Sequence, residues 1–377
     1  MMVFGLVASA NAATFSDVSP EDEAFKDITK LNALGIINGY PDGTFRPDGA
    51  ITRAEFAKIA VIMAGLKDSA GYLQNSPSQF SDVAVGAWYT GWVNVATSQG
   101  FVKGYPDGTF KPNANVTAAE AITVLLRLLG YDDRLPGQWP VDYLAKAGKL
   151  GITNGLNFVA SAPASRGLVS QFASATLEED LVDYDNDRED FKDDPDATSL
   201  LAENFDDASI VEDALVYQWY MENDKEDLAV DVLYYDDDDN AVAEKIDFAD
   251  DVVIAGAKNI IGLEGKFVDF ILNDDGDIVY IGVNDYGTTL YSDEYEVDGD
   301  EIEINGKTYD IAEDLVFENA ITKDDGELDF AAEYEALVDE SEVTAYPVKA
   351  TLNKDGDVAW VKTVPANLSA VIKEVDV

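Results

Sequence analysis

The chain contains no cysteine and no histidine. Exported proteins often carry disulfides, so here packing, repeat interfaces or metal ions must hold the fold instead. The missing histidine removes Ser-His-Asp and Cys-His arrangements and the usual zinc sites. Cations are scarce too, with 25 Lys and Arg against 74 Asp and Glu in 377 residues. That balance sets nucleic-acid binding aside, because such affinity rests on neutralising phosphates with cations. No stretch approaches the roughly twenty uninterrupted apolar residues of a membrane-spanning helix. P-loop, G-x-S-x-G and H-E-x-x-H motifs are also missing.

What the sequence does have is a repeat. Gly39-Tyr40-Pro41-Asp42-Gly43-Thr44-Phe45 returns as Gly104-Tyr105-Pro106-Asp107-Gly108-Thr109-Phe110. Phe15-Ser16-Asp17-Val18 and Ile51-Thr52-Arg53-Ala54-Glu55 return as Phe80-Ser81-Asp82-Val83 and Val116-Thr117-Ala118-Ala119-Glu120, all at one offset of 65 residues. A single shared offset means a duplicated structural unit. Pro-Asp-Gly is a turn: Pro presets φ, Asp bonds the backbone ahead of it and Gly accepts positive φ. Thr52 with Glu55 and Thr117 with Glu120 have capping-box spacing, which predicts a helix start at each. The apolar faces that follow are Phe56, Ile59, Ala60 and Met63, then Ala121, Val124, Leu125 and Leu128. Capping needs no cation at its second position, so Arg53 stands apart. A third, eroded copy places Trp139, Tyr143, Gly151 and Gly155 at 51 residues after Trp88, Trp92, Gly100 and Gly104. There Ala164-Ser165-Arg166-Gly167-Leu168 stands at the capping box; Ser165 can cap, but Leu168 cannot return the bond.

Three tandem units with these motifs resemble the S-layer homology family over roughly residues 14 to 177. The resemblance implies an all-α, pseudo-threefold repeat domain with grooves between its lobes. Such grooves hold acidic, often pyruvylated, secondary polysaccharide attached to peptidoglycan. By the same resemblance the anion contact falls on Arg53 and Arg166, while Ala118 leaves the corresponding place in copy two without one. Gly39, Tyr40, Gly104, Tyr105, Trp88 and Trp139 are implied as groove-lining residues. The units are expected at 14–78, 79–134 and 135–177, after a signal-peptide remnant at 1–13 that ends in Ala10-Asn11-Ala12.

Charge divides the chain near Glu178. Up to Leu177 there are 13 cations and 15 acids; the remainder has 12 and 59, a net −47. An acidic linker is expected at 178–200 and an acidic, β-rich (α+β) surface region at 201–377, making the whole a multidomain protein. Asp183, Asp185, Asp187 and Asp194 fall at positions 1, 3, 5 and 12 of a calcium loop, but Arg188 replaces its turn glycine. Further on, 211–220 reads as helical, and hairpins are expected at Asn273-Asp274-Asp275-Gly276-Asp277 and Asp298-Gly299-Asp300. The first hairpin recurs 80 residues later around Asn353-Lys354-Asp355-Gly356-Asp357. This recurrence means either two related β modules or one easy turn reused. Asp275, Asp277, Asp355 and Asp357 are candidate calcium ligands or plain turn residues.

The expected function is non-covalent anchoring of an exported structural surface protein, with no cofactor required beyond candidate calcium. Its partners would be wall polysaccharide and other copies of itself in a surface lattice. Net −47 opposes lateral packing unless divalent cations intervene, so calcium-dependent assembly is expected. The alternative is an anchored polysaccharide hydrolase or carbohydrate-binding protein. No carboxylate pair stands in a distinctive catalytic context.

Overall fold

The computed structural model describes residues 15–187, 189–192, 198–205, 208–222, 227–236, 240–284, 286–292, 295–298, 301–319 and 348–363. Three units each supply two helices to its first part: α1 (Phe25–Ala33) and α2 (Arg53–Met63), α4 (Thr90–Ser98) and α5 (Ala118–Leu128), then α6 (Val141–Lys149) and α7 (Arg166–Leu177). These pack across units, α1 on α7, α2 on α4 and α5 on α6. The short α3 (Lys67–Leu73) follows α2. Both capping boxes form. Thr52 Oγ1 accepts the Glu55 amide at 3.3 Å while Glu55 Oε2 accepts the Thr52 amide at 2.8 Å; the Thr117 and Glu120 distances are 3.3 and 2.9 Å. In α7 only half of the box survives, Ser165 Oγ accepting from Leu168 at 3.2 Å. Thr52→Ala should therefore cost about 1 kcal/mol of stability, read from a urea titration. The turn glycines are steric requirements, since a Cβ at Gly39 would come within 2.4 Å of the Phe15 ring and at Gly104 within 2.0 Å of the Phe80 ring.

The units close into a ring through the first amides of the capped helices. Arg53 donates to Ala114 O at 2.8 Å, Ala118 to Ala162 O at 3.1 Å, and Arg166 to Gly49 O at 2.8 Å. Each unit thus bonds to the next and the third returns to the first. These joints are antiparallel β-bridges: Thr52 with Asn115, Thr117 with Pro163, and Ala50 with Ser165.

The expected all-α class is corrected here. The chain is α+β, with eight helices and a six-stranded sheet among the described residues. The repeats are cross-linked by extended backbone because the four leading amides of each capped helix need acceptors, and the neighbouring unit's carbonyls supply some of them. Nor do the helices own their core: Val253, Ala255, Ile271 and Tyr280 from the β-rich half belong to the same buried cluster.

Residues 178–200 hold a small hairpin, β1 (Asp183–Asp185) with β2 (Asp190–Lys192), that lies against the helices. The Val182 amide donates to Leu129 O at 2.8 Å, and the Phe191 ring meets Tyr131 at 4.9 Å. Beyond it, α8 (Leu200–Asn204) buries Leu200 and Leu201 in the helical core.

A closed barrel follows, with strand order β3-β4-β5-β7-β6: β3 (Ser209–Glu222), β4 (Asp227–Tyr235), β5 (Ala241–Ala255), β6 (Lys266–Leu272) and β7 (Ile278–Val283). The helix expected over 211–220 is instead most of β3. Its backbone pairs with both β4 and β6, so barrel closure overrides the local apolar run. The six-stranded sheet has the order β8-β12-β13-β11-β10-β9: β8 (Thr289–Ser292), β9 (Tyr295–Asp298), β10 (Glu301–Ile304), β11 (Lys307–Asn319), β12 (Val348–Leu352) and β13 (Val358–Thr363).

The sheet repeats the barrel's wiring. In the barrel, the start of β3 pairs with β6 and its end with β4; in the sheet, β8 pairs with β12 and β9 with β10. The barrel's parallel pair β5 and β7 has its counterpart in β11 and β13. Both hairpins even slip register at the same step, Leu272 facing Ile278 and Leu352 facing Val358. A reused turn explains none of this, so two related β modules are the better account of the recurrence at 80 residues.

Each module also rests on its predecessor through the same position of its last strand. Tyr280 in β7 is 4% exposed and its hydroxyl donates to Lys26 O of α1 at 3.3 Å. Eighty residues on, Trp360 in β13 is fully buried against Leu215, Tyr217 and Phe267 of the barrel. A Cβ at Gly265 would stand 2.7 Å from its ring.

The joint between α1 and the barrel includes a carboxylate at odds with its surroundings. Burial raises the Asp27 pKa, and a hydrogen bond from Ser174 and the charge of Lys30 offset this only in part. A raised pKa means that the folded state binds this proton more tightly than the unfolded one, so ionised Asp27 weakens the fold at neutral pH. Asp27→Asn should raise Tm at pH 7, with the gap to wild type narrowing as pH falls from the raised folded-state pKa toward the ordinary carboxylate value and closed below that value.

Candidate functional site

Between the first two units and the start of the third lies an open groove of about 610 Å³. Its inner wall is Arg53, whose guanidinium is contributed by unit one but is bonded almost wholly to unit two. Nε donates to Phe110 O at 2.8 Å, Nη1 pairs with Glu120 Oε1 at 2.8 Å, and Nη2 reaches Lys103 O at 3.5 Å. The guanidinium also faces the Tyr105 ring at 4.8 Å, while the Tyr105 hydroxyl donates to Glu120 Oε1 at 3.2 Å. Arg53 is only 8% exposed, so it is at once a groove wall and the pin between two units.

The outer part of the groove is more open. Trp139 is 56% exposed, and its Nε1 donates to Thr123 Oγ1 at 2.9 Å, which fixes the indole in place. Opposite stand Lys103 and Arg127, bridged by Asp133: Lys103 Nζ bonds one carboxylate oxygen and Arg127 Nη2 the other, the latter at 2.9 Å. The Tyr143 hydroxyl also donates to Asp133, at 3.1 Å. Chiefly through the Lys103 hydrogen bond, and then those of Arg127 and Tyr143, the Asp133 pKa falls to about 2. Burial pushes Tyr143 up to about 12.

Arg166 builds a related site between units three and one. Its Nε donates to Phe45 O at 2.8 Å and its Nη2 to Asn38 O at 2.9 Å, with the Tyr40 ring 5.0 Å away. Gly39 and Tyr40 belong to this site, and Tyr40 OH reaches Glu55 at 3.5 Å. At the remaining junction Ala118 stands where the others have Arg53 and Arg166. Trp88 is 53% exposed and stands edge-on to Tyr89.

Sequence reasoning named Arg53, Gly104, Tyr105 and Trp139, which share the first groove, took Glu120 beside them for a helix cap alone, and overlooked Lys103, Arg127 and Asp133. Lys103 and Arg127 stand where copy one has Asn38 and Ile62. Because they break the repeat, a search for what recurs passes over them.

The carboxylates singled out for calcium lie elsewhere. Asp183 and Asp185 are on β1, and Asp187 donates its amide to Asp185 Oδ1 at 2.8 Å. The amides of Asp275 and Asp277 are held by Asn273 Oδ1 at 3.1 and 2.8 Å, and those of Asp355 and Asp357 by Asn353 Oδ1 at 3.0 and 2.9 Å. Asp194 is outside the described residues. Among the described residues no group of three or more acidic side chains is placed to hold a metal ion, and no helix is long and apolar enough to cross a membrane.

The S-layer homology domain profile matches residues 14–57 and 79–122. Over 176 residues the chain is 38% identical to a middle cell wall protein of Brevibacillus brevis, covering 47% of this chain and 16% of that protein. It is 41% identical over 150 residues to a surface layer protein of Brevibacillus choshinensis, covering 39% and 13%. It is 35% identical over 185 residues to a cell surface protein of Thermoanaerobacter kivui, covering 48% and 24%. The chain thus spans less than a quarter of the length of these curated relatives. Residues 14–57 and 79–122 match the S-layer homology domain, and together with these relatives they indicate a secreted, cell-wall-associated location.

Proposed function

We propose that the helical ring anchors the protein by binding an acidic secondary polysaccharide of the cell wall, and that the β modules project outward into a self-assembled surface layer. The observation that carries this reading is the convergence of Arg53, Lys103 and Arg127, from two units, on a groove whose rim holds an exposed tryptophan. Cations select an anionic polymer, and an aromatic face accepts the apolar face of a sugar ring. A polymer bearing pyruvyl carboxylates has the required charge, and the nearly neutral helical half does not repel it as the acidic half would. The role is structural rather than catalytic.

Pull-down of the full chain on cell-wall sacculi, before and after the secondary polymer is stripped by acid, tests this reading. Binding should disappear with the polymer. Equal retention on stripped sacculi would turn the reading toward peptidoglycan itself.

A further inference from the structure

We infer that Asp133 is an internal counter-anion that occupies the carboxylate subsite of this groove and sets its threshold for anionic ligands. The inference rests on the proposed binding of an acidic polymer and assigns a place in the groove to that polymer's charge. The two oxygens of Asp133 are shared between two cations from different segments: Lys103, just before the second turn motif, and Arg127, in the last turn of α5. Tyr143 OH supplies a third donor. Three donors converging on one carboxylate make the kind of receptor that a ligand carboxylate needs.

The exposures separate the roles. The Arg127 side chain is 12% exposed and so is largely fixed, whereas Lys103 and Asp133 are 59% and 61% exposed and can part into solvent. An incoming anion can therefore take over the contacts of Lys103 and Arg127 while Asp133 swings away. Until it does, the carboxylate screens both cations and holds weakly charged glycans off. Selectivity then comes from competition, because only a ligand whose charge outbids Asp133 enters.

The test is Asp133→Asn, which keeps the shape and the hydrogen-bonding capacity toward Tyr143 but removes the charge. Its control is Asp132→Asn, which removes an equal charge one residue away from a carboxylate paired with Arg134 at 2.5 Å. Binding of the full chain to purified acidic wall polysaccharide is measured against salt. Asp133→Asn should bind about tenfold more tightly, with a steeper salt dependence, whereas Asp132→Asn should stay within about twofold of wild type. An Asp133→Asn protein that keeps its circular dichroism and Tm yet binds no better than wild type overturns the inference and leaves the anchoring proposal standing. Equal gains in both variants also overturn it, since they would reflect general charge. If wild type itself fails to bind the polymer, both readings fall together.

Discussion

Arg53→Ala should lower the affinity of the full chain for acidic wall polysaccharide tenfold or more and destabilise the helical ring at the same time. The first effect follows from the loss of a charge-assisted contact worth about 1.5–3 kcal/mol. The second arises because the guanidinium is buried: its removal leaves Glu120 without its cation and the Phe110 carbonyl without this donor. Breaking a buried pair from one side typically costs about 3–5 kcal/mol, and the partial exposure of Glu120 places this case at the lower end. Arg53→Lys separates the effects. A lysine keeps the charge but cannot address Phe110 O, Glu120 and Lys103 O together. Stability by urea titration and binding by calorimetry, taken on both variants, should show lysine restoring part of the binding and little of the stability. Full binding by a folded Arg53→Ala protein would remove this residue from the site.

The other large effect is expected at the far end of the chain. Trp360→Ala should destabilise the second β module and its seat on the barrel by about 3–5 kcal/mol, because it opens a cavity lined by Leu215, Tyr217 and Phe267. Trp360→Phe should be much milder. Among the described residues the indole Nε1 finds no acceptor, so phenylalanine gives up a polar atom that contributes nothing and loses only volume. Thermal unfolding should therefore separate into two transitions in the alanine variant and remain close to wild type in the phenylalanine variant. A single unshifted transition for Trp360→Ala would show that the two modules are not held by this side chain.

The helical half was readable because its determinants are local. A Thr and a Glu three residues apart encode a helix start wherever they stand, and Thr52-Glu55 and Thr117-Glu120 form the bonds their spacing predicts. A shared offset then says that the units are alike, and Gly39 and Gly104 explain themselves once the Phe15 and Phe80 rings are seen against them. The β-rich half was harder. Residues 211–220 carry an apolar run compatible with either a helix or a strand, and only the partners β4 and β6, distant in sequence, decide the matter. In the groove, Arg53 was legible as a cation that capping did not require. Lys103, Arg127 and Asp133 were not, because their meeting depends on how α5 and the following loop cross, which no spacing rule encodes.

The two β modules meet their predecessors through equivalent aromatic residues, Tyr280 on α1 and Trp360 on the barrel. Pull on the chain from the second β module must therefore pass through one kind of coupling twice before it reaches the helical ring. In such a linear arrangement the weaker coupling yields first and shields everything inboard of it. Around the buried tryptophan the outer coupling adds Thr351 Oγ1 donating to Gly265 O at 2.7 Å and Lys362 paired with Glu264 at 2.8 Å, whereas the inner one adds a tyrosine hydroxyl bonded to a helix carbonyl. Load drawn through the β modules would therefore test the two seams in series, each fastened by polar bonds as well as by its aromatic ring.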